Sequence, residues 1–512
     1  MGTDGVKIKT IEIRLPIEYT KAELEHKIAR IVGSNLFSYD IVLKSLDARN
    51  KRDVHWKIRI NVIEGESKHN FKSNTLEIPY RKRNKKICVI GSGPAGFFAA
   101  YVLQKAGYET IIIERGCEVA KRSRQISNFE QKGEFSESAN YAFGEGGAGT
   151  FSDGKLTSRT KNIDKEKNFI IESYIEAGAP EEIRYLSHPH IGTNNLIKVV
   201  RNLRDRFEAI GGKILFETTL INIKINDRSV VAIETDKGKI ECEYLLVASG
   251  HSAYDTYRLL LSKGVKFQNK AFAIGSRVEH LQEVINLSQW GKRKIKGLKA
   301  AEYKLTYKAK NALPVYSFCM CPGGKVVQAS PRKGLSIVNG MSNYSRSSPF
   351  ANSAIVAGIY LPELLNKEIT PGEALDWLEQ KEQTFFEIRN NFELPANVIQ
   401  NFIEGKGSSK FPETSYSFGV FDYDFRELFP EAIYQSMRKS LIEFSRKIKG
   451  FEEGIIMGFE SKTSSPIQVI RDDKYLAAGF ENLYVIGEGS RRAGGIISSA
   501  VDGIKAATTL IE

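Results

Sequence analysis

Cysteine is scarce in this chain: five residues in 512, at positions 88, 117, 242, 319 and 321. So few thiols, odd in number, exclude a disulfide framework and suit a reducing compartment. Also missing is any apolar run of about 18 residues, the length a membrane span needs, so no membrane partner is expected. The opening MGTDGVKIKT has no hydrophobic signal region, and Val6 breaks the myristoylation pattern. The expected localisation is cytoplasmic. Acidic residues are the minority, 61 against 74 Lys and Arg, for a formal charge of +13. That excess invites nucleic acid. Lysine is scattered over the whole chain, however, and the one dense run, RKRNKK at 81–86, reads as a solvated linker. No RNA- or DNA-binding motif accompanies it. A small-molecule substrate is the expected partner, not nucleic acid. The spacing of the cysteines and the seven histidines offers no metal ligand set.

What the chain does hold is a glycine fingerprint. Residues 86–116 read KICVIGSGPAGFFAAYVLQKAGYETIIIERG. A short apolar run at 87–90 predicts a buried parallel strand. Gly91, Gly93 and Gly96 follow at G-x-G-x-x-G spacing, with Pro94 and Ala95 between, then helix formers to Lys105 and a second strand through Ile113. Gly91 permits a tight turn, Gly93 lets backbone approach a pyrophosphate, and Gly96 lets helix and strand pack closely. The helix N-terminus offers free N–H groups and a positive partial charge to phosphate. Glu114, with Arg115 behind it, ends the second strand where a carboxylate can accept ribose hydroxyls. Strand, helix and acidic strand end agree, which makes this a dinucleotide site and not a bare crossover.

The rest of the chain divides around that stretch. Residues 1–80 predict a small α+β unit: an alternating strand at 8–15, a helix at 20–32 capped by Thr20, and strands at 41–46 and 56–62. Residues 85–264 form the first part of the dinucleotide domain, 265–453 an inserted α+β substrate domain, and 454–512 the return. After a charged helix at 118–131 comes FGEGGAGTFSDGK, residues 143–155. Its G-x-G-x-x-G has no strand before it and no helix after it, so it is read as backbone pressed against a flat or phosphorylated ligand. Gly146, Gly147, Thr150, Ser152 and Asp153 are its candidate contacts. Strands at 214–216, 220–225 and 230–235 predict a three-stranded meander, and the strand at 244–248 ends in Ser249-Gly250. The return strand ends in Gly487-Glu488, and Gly494-Gly495-Ile496 opens a helix to about Leu510.

These segments, together with HPHIGTNNL, FAIGSRVEH, SFCMCPGGKVVQAS and GEGSRRAGGIISSAVDGIKAA, resemble the uncharacterised bacterial FAD-dependent dehydrogenases, a family of NAD(P)/FAD-dependent oxidoreductases. The likeness runs over nearly the whole chain. It implies an α/β fold: a split Rossmann-like FAD domain of the glutathione-reductase type, with an inserted α+β substrate domain and a small N-terminal α+β domain. It places FAD against the fingerprint residues, the backbone near Leu220, Gly250, Glu488 on the ribityl chain, and the 494–496 helix entry. The activity it implies is hydride transfer between flavin N5 and a small organic substrate, anionic or neutral, with NAD(P)H as a transient partner. A flavin monooxygenase on the same fold and a tRNA-acting flavoprotein are the alternatives.

Candidate proton-handling groups are His188, His190, His251 and Lys155. Arg277, Glu279, Asn339, Arg346 and Asn352 are placed on the substrate side. Arg491 and Arg492 read equally as a clamp on an anionic substrate or as surface charge. Cys319 and Cys321 form a C-x-C. Strand spacing puts both on one face, where they read as packed, inert thiols; a thiol relay through Cys321 is the alternative.

Overall fold

The computed structural model describes residues 8–65, 71, 74–488, 490 and 494–512. Arg491, Arg492 and much of the polar segment 64–74 lie outside the described residues.

The N-terminal unit follows its alternating pattern. Strand Ile8–Leu15 runs antiparallel to His55–Glu64, which also pairs with Phe37–Asp47. Ile11, Ile13 and Leu15 point inward and meet Leu24 and Ile28 of helix Lys21–Val32. Thr20 caps that helix as expected: its hydroxyl accepts the Glu23 amide while the Glu23 carboxylate accepts the Thr20 amide. Lys44 ties this unit to the rest. Its amide donates to Tyr185 O and its carbonyl accepts from Ser187 N. Its ammonium lies over the rings of Tyr19 and Trp56.

The central sheet is parallel, in the order Leu483–Val485, Tyr244–Val247, Lys86–Ile90, Glu109–Ile113, Lys213–Leu215. Its strands are nearly continuous apolar runs because helices cover them. Helix Pro94–Lys105 packs on the final helix, Ile496–Ile511, so closely that a Cβ on Gly503 would lie 2.1 Å from Ala95 O. The basic run is tied down across this sheet: Arg81 and Arg83 amides donate to Ala106 O and Gly107 O, and Arg83 Nη2 reaches Ile511 O.

Two sequence expectations need correction here. The strand expected at 214–216 joins the edge of the parallel sheet and not the meander. The meander is Leu220–Asn226, Ser229–Thr235 and Gly238–Glu241, because the Asp236-Lys237 turn is followed by a further strand that the sequence pattern left unassigned. The boundary at 453/454 also moves. Strand Ile455–Glu460 sits inside the inserted sheet, between Phe272–Leu281 and Leu394–Val398. Its apolar run is equally suited to either sheet, and only pairing decides.

That inserted sheet has seven strands, in the order Thr306–Tyr307, Val315–Cys321, Phe350–Ile359, Phe272–Leu281, Ile455–Glu460, Leu394–Val398, Val420–Asp422. Helices Pro371–Glu387 and Glu431–Lys447 bury Phe385 and Phe444 in a core shared with Phe451 and Phe459. Phe385 stacks on Phe459 with centroids 4.7 Å apart. The chain enters and leaves the insert through one ribbon, Phe267–Asn269 paired antiparallel with Ile467–Val469.

Candidate active site

The site begins where strand Lys86–Ile90 stops. Gly91 has φ +97°, and a Cβ there would lie 2.5 Å from Ala248 O. At Gly96 a Cβ would lie 2.0 Å from Gly91 O. Both positions therefore admit only glycine, as the fingerprint predicts. Gly93 caps helix Pro94–Lys105, with Pro94 at its first position. The Glu114 carboxylate accepts from Ser92 N (2.9 Å) and Ser92 Oγ on one oxygen, and from Gly116 N (2.8 Å) and Gly144 N on the other. It is thus built into the loop's frame. Arg115 turns to Asp255 and Thr256 and covers the Phe143 ring. Leu220 is buried at the start of the meander, and Thr218 N donates to Glu114 O.

The second glycine-rich loop folds onto the first. A Cβ on Gly147 would meet Gly93 Cα at 3.0 Å, and one on Gly149 would meet Ile496 Cγ1 at 3.1 Å. Gly146 has φ +78° and packs against Thr150 Oγ1, whose hydroxyl donates to Glu145 O. Ser152 Oγ donates back to Gly149 O. What holds this loop is a residue that sequence reading missed. Arg122, fully buried, donates from Nε to Asn140 O, from Nη1 to Gly144 O, Glu145 O and Gly147 O, and from Nη2 to Tyr141 O. Desolvation lowers its pKa only to about 10, so the guanidinium stays charged.

The return strand completes the cradle. Gly487 has φ +74°; its amide donates to Asp502 Oδ2, whose carboxylate also takes Arg471. Glu488 is buried, with Oε1 accepting from Ser465 N at 3.0 Å and Oε2 left without a partner. Burial pushes its carboxyl up to about 7, against the pull of Lys270. A Cβ on Gly494 would lie 2.4 Å from that free oxygen. Gly495 caps the final helix, opening at Ile496. Gly250 has φ +68°, with nothing near the position of a Cβ. His251 follows it, Nε2 unpartnered, its pKa driven well below the usual value by burial.

On the insert side the charged residues pair with one another. Asp153, expected at the cofactor, is taken up by Arg346: Nε at 3.1 Å, Nη2 at 2.6 Å, with Ser342 Oγ on the same carboxylate. Lys155 lies between Asp153 (3.9 Å) and Glu302 (3.4 Å) and donates to Met320 O. His188 is exposed and bonded to Glu302. Glu279 accepts Thr414 and Ser415. Arg277 is fully buried, donates to Cys319 O at 3.0 Å and to Asn339, and faces Glu460 at 3.4 Å. Asn352, also buried, makes no side-chain hydrogen bond.

His190 is buried, Nε2 on Tyr344 O, and desolvation holds its pKa at about 4. His280 is buried on Phe451 O and is likewise held at about 4. In the unfolded chain both would titrate near 6.5. Unfolding therefore takes up protons between about pH 6.5 and 4, and stability falls as the pH drops through that window, by roughly 3 kcal/mol per group. His190→Gln should flatten the acid limb of a stability-versus-pH curve from chemical denaturation. An unchanged limb would show that His190 titrates normally.

Two glycine loops meeting over a helix N-terminus, a strand-end glutamate on each side and a final helix aimed at the same place define a dinucleotide-dependent redox protein. Residues 85–256 match the pyridine nucleotide-disulphide oxidoreductase family, and residues 271–463 match the FAD-dependent protein, C-terminal domain-like family. Over 537 aligned residues the chain is 37% identical to an uncharacterized protein of Clostridium beijerinckii, covering 99% of this chain and 98% of that one. The chain belongs to the same family as that protein and is an FAD-dependent oxidoreductase. A 65-residue stretch is 35% identical to flavin-containing monooxygenase FMO GS-OX-like 9 of Arabidopsis thaliana, 13% of this chain and 14% of that one. The crystal structure of glycine oxidase from Bacillus cereus aligns over 84% of this chain and 95% of its own at 11% identity, with a TM-score of 0.34, too low to weigh in the assignment. Among the described residues no helix is long and apolar enough to cross a membrane, and no group of His, Cys, Asp and Glu could hold a metal ion.

Proposed function

We propose that this enzyme binds FAD along the two glycine loops and exchanges a hydride with a small organic molecule entering between the 143–155 loop and the inserted sheet. The observation that carries this reading is Glu488: a buried carboxylate oxygen with no partner, at the end of the returning strand. An unpartnered buried oxygen of that kind needs a donor, and a ribityl hydroxyl is one. The residues present fit FAD in other respects too. Gly93, whose nearest neighbour in the Cβ direction is 3.8 Å away, leaves backbone for a pyrophosphate to approach, and the final helix, capped by Gly495, brings a second N-terminus with positive partial charge beside the Gly149 loop.

Bound there, FAD supplies the two-electron chemistry, and the protein orients substrate and handles protons. Lys155, with its pKa raised by Glu302 and Asp153 against the pull of burial, stays cationic and can hold an anionic substrate group. His251 presents a neutral imidazole with a free nitrogen, able to take the proton that leaves an alcohol or amine as its hydride departs. His188 and His190 are both engaged, by Glu302 and Tyr344. A nicotinamide would visit the cleft transiently. These features support the narrower reading of an FAD-dependent dehydrogenase.

Glu488→Ala is expected to weaken FAD binding by about 10- to 100-fold, the loss of one hydrogen bond to a charged group. The apoprotein should lose only about 1–3 kcal/mol, the cost of leaving the Ser465 amide without its Oε1 acceptor. Titrating apoprotein with FAD by fluorescence reads the affinity; wild-type affinity in the variant would remove Glu488 from the site. Anaerobic reduction of the purified yellow protein by NADH, NADPH and a metabolite panel tests the activity. Oxygen consumption coupled to hydroxylation would select a monooxygenase instead.

A further inference from the structure

The structure overturns the expectation that the C-x-C is an ordinary strand pair. Phe318 pairs with Ala354 and Cys321 with Asn352, so three steps on one strand oppose two on its partner. This is a bulge, and Cys319 carries φ +45°, a left-handed conformation uncommon for any residue but glycine. The bend removes the strand spacing that would hold the two side chains apart. Cys321 Sγ donates to Cys319 O at 3.4 Å, which turns the second thiol back over the bend toward the first residue.

The two sulfurs differ in surroundings. Cys321 is fully buried, whereas Cys319 is only partly so. Cations bracket the bend: Arg277 donates to Cys319 O and Lys155 to Met320 O. The neighbouring Cys321 thiol, with Arg277 and Lys155 behind it, draws the Cys319 thiol below its ordinary value, against burial. Cys321 shifts upward as the proton holder. Elsewhere burial pushes Cys117 up to about 11, as for an inert thiol. Burial also raises the Glu460 carboxyl to about 8, against the pull of Arg277. A partly open thiolate with a protonated partner behind it is the arrangement of an attacking and a resolving cysteine. The pair sits at the cofactor side: Lys155 ends the loop whose Gly147 and Gly149 meet Gly93 and Ile496.

We propose that Cys319 and Cys321 are a redox couple of this enzyme, a dithiol that closes to an intrachain disulfide and reopens, exchanging electrons with FAD. This rests on the FAD reading above. Closing takes one electron and one proton from each thiol and forms one S–S bond. Those two electrons and two protons are what oxidised FAD accepts on full reduction, so the exchange balances without a further reactant. The pair lies outside the 85–256 segment that matches the pyridine nucleotide-disulphide oxidoreductase family.

The test uses the FAD-loaded full chain as wild type, Cys319→Ser and Cys321→Ser. Each is oxidised with diamide, freed of reagent, denatured in iodoacetamide and digested with trypsin. Peptide 311–325 holds both cysteines and no other. The wild-type peptide should escape alkylation and be two hydrogens lighter than its reduced form, while each serine variant should alkylate at its remaining thiol. Anaerobic titration of the oxidised proteins should take twice as many electrons per FAD in wild type as in either variant. A wild-type peptide alkylated at both positions, or equal electron uptake in all three, overturns the couple. Protein without flavin would overturn the cofactor reading instead, and the peptide mass would still judge the couple.

Discussion

Arg122→Met is expected to yield a protein that folds its inserted domain but retains less than about a tenth of the wild-type flavin and unfolds at a clearly lower temperature. Five backbone carbonyls accept from that one side chain, and three of them, Gly144 O, Glu145 O and Gly147 O, belong to the loop that meets Gly93. Asn140 O and Tyr141 O would be left without a donor, while Gly144 O, Glu145 O and Gly147 O would keep only Gly147 N, Thr150 Oγ1 and Thr150 N. At about 1–3 kcal/mol for each buried acceptor left bare, the loss is about 2–6 kcal/mol, a large share of the stability of a domain. The loop escapes that cost by moving until water reaches the carbonyls, which pulls Gly147 off Gly93. Arg122→Lys should be intermediate: it keeps the charge but offers three donors where a planar fork satisfied five acceptors. Flavin-to-protein ratio and a thermal scan measure both effects. Full flavin content in Arg122→Met would show that the loop holds itself.

A single methyl at Gly96 should be as damaging. Its Cβ would sit 2.0 Å from Gly91 O and 3.2 Å from Ala248 Cβ, so the helix start must retreat by more than 1 Å from the strand ends. Overpacking of this kind costs roughly 1–3 kcal/mol in stability. The larger loss falls on the cofactor, whose phosphates depend on where the helix N-terminus points. We expect Gly96→Ala to lower FAD affinity by at least about 100-fold. Gly372→Ala makes the control: the nearest atom to its Cβ is 3.9 Å away, and in a helix the change should gain up to about 1 kcal/mol. Equal FAD affinity in the two variants would refute the close-packing argument.

What the sequence made legible was whatever is local. Alternation placed strand Ile8–Leu15, Thr20 announced its helix, and the glycine spacing carried its own geometry. Glu488 stood out because a carboxylate ending an apolar strand is unusual anywhere else. Arg122 did not, since one arginine in a charged helix looks like any solvated residue until the loop folds over it. Asp153 misled for the same reason in reverse. Its loop pointed to a ligand, while its partner Arg346 lies 193 residues away. The Cys319 bulge exists only as a mismatch against a second strand, so no pattern within 315–321 could reveal it.

Gly503, pressed against Ala95, has a consequence for how the protein is made. The helix opening at Pro94 is synthesised early, yet the face it buries is covered by helix Ile496–Ile511. Between the two, the ribosome must deliver the whole insert. Through all of that synthesis Ala95 and its neighbours stay bare, and the cofactor's cradle closes only once 496–511 has emerged. Contacts this distant in sequence form slowly, so early FAD capture by the half-built domain, or shelter by a chaperone, would act in that interval.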